Sequence, residues 1–248
     1  MRVLEIISTS MQKYGLALHT TSPQLGLALD NFAGNQRSQI WDLGHELGNY
    51  LHLKLLEVMD PQDWQDLGFL AVAIGPGSFT GTRLGVVTAR TLAQQLDLPL
   101  VGVSSFAAFA CWWVYEHTVE YGQIIALSSP AQRGQLFVGI YQVTKDAQNP
   151  LKTILKDTVM TPTAWQEKLT ELSSSLSSSL NFSIISLEVP TNLGMTVTSL
   201  LDLARSYNPQ NLDPQVINSQ DTYKSDKNDN KFLWSAVLPF YGQHPVDS

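Results

Sequence analysis

The sequence predicts an α/β protein built from two related lobes, and three observations support that prediction. First, YGLAL at 14–18 and LGLAL at 25–29 flank the polar turn HTTSPQ, which is the spacing of a β-hairpin. Second, the continuous apolar run FLAVAI at 69–74 is typical of a buried central strand. Third, a hairpin pattern recurs in GQIIALSS at 122–129 and QLFVGIYQV at 135–143, so both halves of the chain begin in the same way.

Helices are predicted to alternate with these strands. Apolar residues recur every three or four positions over 38–59, which predicts a helix that Asp60-Pro61 ends. The other predicted elements are a helix over 82–96, a strand over 98–103, a helix over 106–116 capped by Ser104 and Ser105, a strand over 151–160, a helix from 161 that frays in the serine-rich stretch 173–179, a strand over 183–189 and a helix over 193–207. We expect an N-terminal extension over 1–12, an N-terminal lobe over 13–117 and a smaller C-terminal lobe over 118–248, with a polar, mobile segment at 218–231.

The composition is that of an acidic globular chain. It has 248 residues and a net charge of -7, with 44% apolar and 15% charged residues. Because an acidic chain binds polyphosphates poorly, we expect any nucleic acid to be held by another subunit. The single cysteine, Cys111, makes neither an internal disulfide nor a zinc site and is expected to be a buried thiol. The pattern predicts no membrane span and no signal peptide, so a cytoplasmic protein is expected.

The glycines of IGPGSFTGTRLG at 74–85 raise the question of a phosphate loop. The motif G-x-x-x-x-G-K-[ST] fails, because only three residues separate Gly77 from Gly81 and no lysine follows. A dinucleotide turn fits Gly75-x-Gly77-x-x-x-Gly81 more closely, but the next strand ends in two serines instead of an acidic residue. A nucleophile elbow, G-x-S-x-G, requires a glycine two residues before and two residues after the serine. Pro76 and Thr80 stand at those positions around Ser78.

We therefore interpret this glycine loop (residues 75–81) as a structural junction between a strand and a helix. The expected roles are a turn stiffened by Pro76, close backbone approach at Gly77 and Gly81, a helix cap from Ser78 or Thr80, and an apolar gap filled by Phe79. In the helix that follows, Gly85, Ala89 and Ala93 lie four residues apart. Such a small-residue face lets another backbone come near, within the chain or across an interface.

The stretch HELGNYLH at 45–52 nearly matches a zinc-protease helix. That motif needs two histidines four residues apart, whereas Asn49 stands at the second position. His45 and His52 are seven residues apart and are expected to be solvated or at an interface. No residue is predicted to be catalytic, to bind a cofactor or to bind a metal.

Residues 71–110, AVAIGPGSFTGTRLGVVTARTLAQQLDLPLVGVSSFAAFA, resemble the TsaB (YeaZ-type) subunit family of the bacterial machinery that makes tRNA N6-threonylcarbamoyladenosine. The opening hairpin LALHTTSPQLGLAL and the stretch RGQLFVGIY are similar to parts of the same family. The motif residues are Gly75, Pro76, Gly77, Ser78, Phe79, Thr80, Gly81, Arg83 and Gly85.

The resemblance implies a two-lobed actin/Hsp70/sugar-kinase-like fold and a role as a non-catalytic dimerisation subunit without a cofactor. The implied partners are the larger paralogue TsaD, which performs the transfer chemistry, and the ATPase TsaE. A homodimer is expected when the partner is absent, and tRNA is contacted only indirectly. The implied partner surface lies on the helices over 38–59 and 82–96, and its candidate contact or core residues are Ile40, Trp41, Leu47, Tyr50, Leu51, Leu84, Gly85, Val87, Ala89 and Leu92.

Three departures from the family pattern bear on chemistry. His19 stands where the family has an aspartate in the first turn, and PAQRG at 130–134 replaces D-A-R-x-G. The H-x-x-x-H metal pair of TsaD-like proteins does not occur in this sequence. These departures favour the scaffold over the alternative, a nucleotide-dependent transferase or glycoprotease-like enzyme that acts on its own.

Overall fold

The computed structural model describes residues 13–146, 149–176, 183–206 and 234–242, which form two sheets. The first sheet contains β1 (Tyr14–His19), β2 (Gln24–Asp30), β3 (Gln36–Asp42), β4 (Leu67–Ala73) and β5 (Leu100–Val103). The strand order is β3-β2-β1-β4-β5. The pairs β1–β2 and β2–β3 are antiparallel, whereas β1–β4 and β4–β5 are parallel, so the predicted first hairpin is confirmed.

The second sheet repeats this topology. Its strands are β6 (Ile124–Pro130), β7 (Leu136–Val143), β8 (Leu151–Met160) and β9 (Ile184–Glu188), in the order β8-β7-β6-β9. Strand β6 is antiparallel to β7, β7 is antiparallel to β8, and β6 is parallel to β9. Because β1 to β4 pair in the same pattern, the prediction of two related lobes is confirmed.

Five helices among the described residues cover the sheets. They are α1 (Leu47–Met59), α2 (Phe79–Leu96), α3 (Ser105–Glu116), α4 (Pro162–Leu176) and α5 (Val197–Ser206). Side chains alternate along β1, so Leu16 and Leu18 pack in a core with α1 and α2, while Ala17 packs with α3 and α5. Both faces of β1, β2, β4 and β5 are therefore buried, which explains their continuous apolar sequences, whereas the edge strand β3 is largely exposed.

The predicted helix over 38–59 is wrong in its first part. Residues Gln36–Asp42 form β3 and pair along their whole length with β2, and a single 3-10 turn at Gly44–Glu46 precedes α1. Ile40 and Trp41 consequently lie on an edge strand and not on a helix. The apolar residues of this stretch have helical spacing, but pairing with β2 makes it a strand. Local periodicity does not predict pairing with a neighbouring strand. The predicted helix end is confirmed, since α1 stops at Met59.

Later parts of the chain return to the first sheet. Helix α5 packs against α3 and β1, and Val237 is buried in the core that α1 and α2 share with that sheet. The division of the chain at residue 117 stays a prediction. The predicted extension over 1–12 and the polar segment over 218–231 lie outside the described residues, as does the part of the serine-rich stretch beyond the end of α4.

Candidate functional site

The glycine loop joins the end of β4 to the start of α2, and contacts within the chain occupy two of its backbone amides, those of Ser78 and Gly81. The Ser78 amide donates to the Thr21 carbonyl oxygen at 2.6 Å, and the Thr82 amide donates to the Ser78 carbonyl oxygen at 2.8 Å. The Gly81 amide donates to Ser78 Oγ at 3.3 Å, so the predicted helix cap at Ser78 is confirmed. A phosphate cradle requires such amides to be free at the start of the helix. The Ser78 and Gly81 amides are therefore not available to a phosphate.

Close packing explains the glycines. A Cβ atom added to Gly81 would lie 2.1 Å from the Thr20 carbonyl oxygen, and one added to Gly77 would lie 2.2 Å from that of Thr21. One added to Gly85 would lie 2.1 Å from Thr20 Oγ1, whose hydroxyl already donates to the Gly81 carbonyl oxygen at 2.8 Å. The turn after β1 therefore presses directly on the loop and on the first two turns of α2.

Phe79 does not fill an apolar gap, so that prediction is wrong. Its side chain is 54% exposed in the first turn of α2, where its ring packs 4.8 Å from the Tyr241 ring. The guanidinium group of Arg83 lies 5.3 Å from the Phe79 ring centre. Thr80 is exposed, and the cap of α2 comes from Ser78.

The structure separates core from surface among the ten residues predicted for the partner interface. Leu47, Leu51, Gly85 and Ala89 are buried within the lobe, so they are core and not contact residues. Trp41, Leu84 and Leu92 are half-buried, and Ile40, Tyr50 and Val87 are exposed. The small-residue face of α2 packs against the turn after β1 and against the sheet of its own lobe.

Sequence reasoning missed two exposed residues next to this group, Leu53 and Leu56 on α1. Helices α1 and α2 lie side by side, since a Cβ atom added to Gly48 would lie 3.8 Å from Leu84 Cδ2. We call the outward apolar surface of the two helices the α1–α2 face, and its residues are the exposed Tyr50, Leu53, Leu56 and Val87 and the half-buried Leu84. The signal was present in LHLKLLEVM, which contains more apolar residues than one buried helix stripe requires.

His19 ends β1 and is completely buried. Among the described residues neither of its ring nitrogens has a hydrogen-bond partner, and burial lowers its pKa from 6.5 to about 3. The ring is therefore neutral at physiological pH. A neutral imidazole supplies none of the negative charge that an aspartate at this turn offers to a metal–nucleotide complex.

A polar cluster that sequence reasoning missed connects the two lobes. Asp157 on β8 accepts hydrogen bonds from the Tyr141 hydroxyl at 2.5 Å and from Ser104 Oγ. Ser104 caps α3 by accepting the amides of Phe106 and Ala107, each at 3.0 Å. Burial raises the pKa of Asp157 from 3.8 to about 6, although the hydrogen bonds from Ser104 and Tyr141 oppose the rise. In the sequence Asp157 has the pattern of an ordinary surface residue.

The other candidate groups are structural. Cys111 is buried, as predicted, and burial raises its pKa to about 12. His45 and His52 are exposed. Within the described ranges, no three His, Cys, Asp or Glu side chains form a group that would hold a metal ion. None of the described helices has the length and apolar content that crossing a membrane requires.

These features define a class of protein: a two-lobed α/β protein with a duplicated sheet topology, in which the turn after β1 packs directly against a glycine-rich junction between a strand and a helix. The comparisons with known proteins narrow the class to a family. The family model described as "TsaD: tRNA N6-adenosine threonylcarbamoyltransferase" matches residues 58–230, so the chain belongs to this family.

Its relatives within that family carry the TsaB or YeaZ name. The chain is 36% identical over 107 residues to the tRNA threonylcarbamoyladenosine biosynthesis protein TsaB of Bacillus subtilis (strain 168). That match covers 43% of this chain and 43% of the relative, so it spans less than half of the relative's length. It confirms the TsaB (YeaZ-type) resemblance.

Two solved structures share the fold. The structure of YeaZ from Pseudomonas aeruginosa superposes with a TM-score of 0.60 at 20% identity and covers 79% of this chain and 93% of its own. A second structure is of a protein described as uncharacterized, with similarity to peptidase YeaZ from Pseudomonas aeruginosa. It gives a TM-score of 0.65 at 18% identity, and the match covers 93% of this chain and 100% of that protein's chain. The predicted two-lobed α/β fold is thereby confirmed as one that the chain shares with YeaZ.

Proposed function

We propose that this chain is a non-catalytic dimerisation and activating subunit for a TsaD-like threonylcarbamoyltransferase. The reaction that it supports is the formation of N6-threonylcarbamoyladenosine at position 37 of tRNAs in the cytoplasm. A TsaE-like ATPase is the second partner, and the chain homodimerises when the TsaD-like partner is absent. The observation that carries the proposal is the packing of the glycine loop against the turn after β1, in which the Ser78 amide bonds to the Thr21 carbonyl oxygen and the Gly81 amide to Ser78 Oγ.

The α1–α2 face supplies the means of association. Its exposed side chains include Val87 at 58%, Leu56 at 54% and Leu53 at 45% exposure, on two adjacent helices. Large exposed apolar side chains on neighbouring helices indicate an interaction site, and a specific interface buries about 1,600 Å² in total. Ile40 on β3, at 45% exposure, is a further candidate contact.

The charge of the chain supports an indirect role with tRNA. A net charge of -7 repels the phosphate backbone, which binds proteins chiefly through lysine and arginine. We therefore assign tRNA binding to the partner and the support of that partner to this chain.

A glutamate on the α1–α2 face is expected to break the association. Val87→Glu buries a charge at the centre of the interface and lowers co-purification with the TsaD-like partner by about tenfold or more. The matched control is Tyr121→Glu, because Tyr121 is 63% exposed but lies just before β6 in the second lobe. The measurement is a quantitative pull-down from the native cell, with the homodimer followed by analytical ultracentrifugation. Unchanged partner binding in both Val87→Glu and Leu53→Glu would show that this face is not the interface.

The enzyme alternative is tested with the isolated wild-type chain. We expect titration calorimetry with ATP and magnesium to detect no binding at micromolar concentrations, because the Ser78 and Gly81 amides are occupied and His19 carries no charge. Tight ATP binding would contradict the scaffold proposal and favour a nucleotide-dependent transferase.

A further inference from the structure

Residues 234–242 run from the first lobe to the second. The segment begins with a short 3-10 turn at Trp234–Ala236, where the Arg90 guanidinium group lies 5.8 Å from the Trp234 ring centre. Val237 follows and is only 2% exposed, packed against β5 so closely that a Cβ atom added to Gly102 would lie 3.0 Å from its Cγ1 atom. This end of the segment is therefore part of the first lobe's core.

The middle of the segment lies on the glycine loop. The Phe240 amide donates to the Ile74 carbonyl oxygen at 2.7 Å, directly after β4 ends. A Cβ atom added to Gly75 would lie 2.9 Å from the Phe240 carbonyl oxygen, so the loop and the segment are in backbone contact. The Tyr241 ring packs on Phe79, the first residue of α2.

The end of the segment lies on the second lobe. The Phe240 ring is 6.3 Å from the ring of Phe137 on β7. Gly242 has a φ of +79° and touches the same sheet, since a Cβ atom added to it would lie 2.3 Å from Val159 Cγ2 and 2.8 Å from Phe137 Cε1. Any larger residue at 242 would have to push the segment away from β7 and β8.

We propose that residues 237–242 form a C-terminal clasp that crosses the glycine loop and holds the two lobes at one separation. The anchor at Val237 belongs to the first lobe, and the contacts at Phe240 and Gly242 belong to the second. Release of the clasp frees the second lobe at this end and breaks the contacts of the segment with Ile74 and Gly75. The clasp is thus a conformational device that ties the junction between β4 and the glycine loop to the second lobe.

Local hydrogen exchange in the full-length chain tests the clasp. Phe240→Ala removes the packing of the Phe240 ring on Phe137 of the second lobe. Gly242→Val places a side chain where Val159 and Phe137 already lie, so the clash displaces the segment from the second lobe. Amides in 74–78, 136–143 and 155–160 are then expected to exchange about tenfold faster, because each of these segments contains a residue that the clasp contacts, namely Gly75, Phe137 and Val159. Amides in β1 and β6 keep their wild-type rates. Phe240→Leu retains an apolar side chain and restores most of the protection.

The matched control is Leu238→Ala. Leu238 belongs to the same segment but is 55% exposed, so its truncation leaves exchange unchanged. The proposal is overturned if both clasp variants exchange at wild-type rates. It is equally overturned if exchange rises in every peptide in proportion to a loss of global stability, which would make the segment ordinary packing.

Discussion

Gly81→Ala is expected to lower the free energy of unfolding by about 3–5 kcal/mol, a large part of the stability of an ordinary domain. The added Cβ atom would lie 2.1 Å from the Thr20 carbonyl oxygen and 3.3 Å from its carbonyl carbon. These are backbone atoms at the end of a buried strand, so they do not move aside as a flexible side chain would. Urea unfolding followed by circular dichroism measures the loss.

The matched control is the same substitution on the neighbouring helix. A Cβ atom added to Gly48 meets only Leu84 Cδ2 among the described residues, at the ordinary contact distance of 3.8 Å. Gly48→Ala is therefore expected to stabilise the chain by about 0.5–1 kcal/mol, because alanine favours the helix. If Gly81→Ala costs less than about 1 kcal/mol in the same experiment, the close approach of the turn after β1 to α2 is not what requires glycine.

His19→Leu is expected to raise the stability at pH 7 by about 1–3 kcal/mol, the usual cost of leaving a buried polar group without a hydrogen bond. His19 is fully buried, its ring nitrogens have no partner within the described part of the chain, and leucine is apolar and of similar size. Thermal and urea unfolding at pH 7 measure the change. A loss of stability would contradict the prediction and show that the ring nitrogens have partners in solution.

The gain from His19→Leu should grow as the pH falls. The folded-state pKa of about 3 lies below the ordinary 6.5, so from pH 6.5 downward the unfolded chain binds a proton that the native imidazole does not. The stability that this site contributes to the native state therefore decreases as the pH decreases, by up to about 1.4 kcal/mol per pH unit. Leucine removes that loss.

Asp157 acts in the opposite direction and provides the control. Its folded-state pKa of about 6 lies above the ordinary 3.8, so between pH 6 and pH 4 the native state binds a proton that the unfolded chain does not. Stability from this site rises as the pH falls through that range. In the wild type the two effects offset, whereas Asp157→Asn should expose the acid sensitivity of His19 alone. Equal pH profiles for wild type, His19→Leu and Asp157→Asn would refute both assignments.

Sequence patterns predict an element well where they agree with its tertiary surroundings. The hairpin of β1 and β2, the buried strand β4 and the cap of α3 at Ser104 follow from alternation, apolar runs and a capping serine. Strand β3 does not, because Ile40, Leu43 and Leu47 have helical spacing, while the bonds that make residues 36–42 a strand come from β2. An edge strand takes its state from a neighbour that its own sequence does not encode.

The partner surface shows the same limit. The sequence pattern assigns the partner surface to two helices. It does not tell which side of α2 faces the lobe, so from the sequence Gly85 and Ala89 could equally be partner contacts. In the structure their own lobe covers both residues. Burial depends on which segments approach in space. The cluster of Ser104, Asp157 and Tyr141 is likewise invisible in the sequence, because its members lie on strands and a helix start that only the fold brings together.

Local sequence was enough to establish the α/β class, the duplication, the family and the failure of GPGSFTG to match a phosphate loop, because each of these rests on residues that are near one another in the chain. The choice of core residues, the atoms that approach each glycine and the path of residues 234–242 between the lobes emerged only from the folded chain. They depend on contacts between residues as far apart as Thr20 and Gly81 or Gly75 and Phe240, and contacts of that kind leave no periodic signal in either segment.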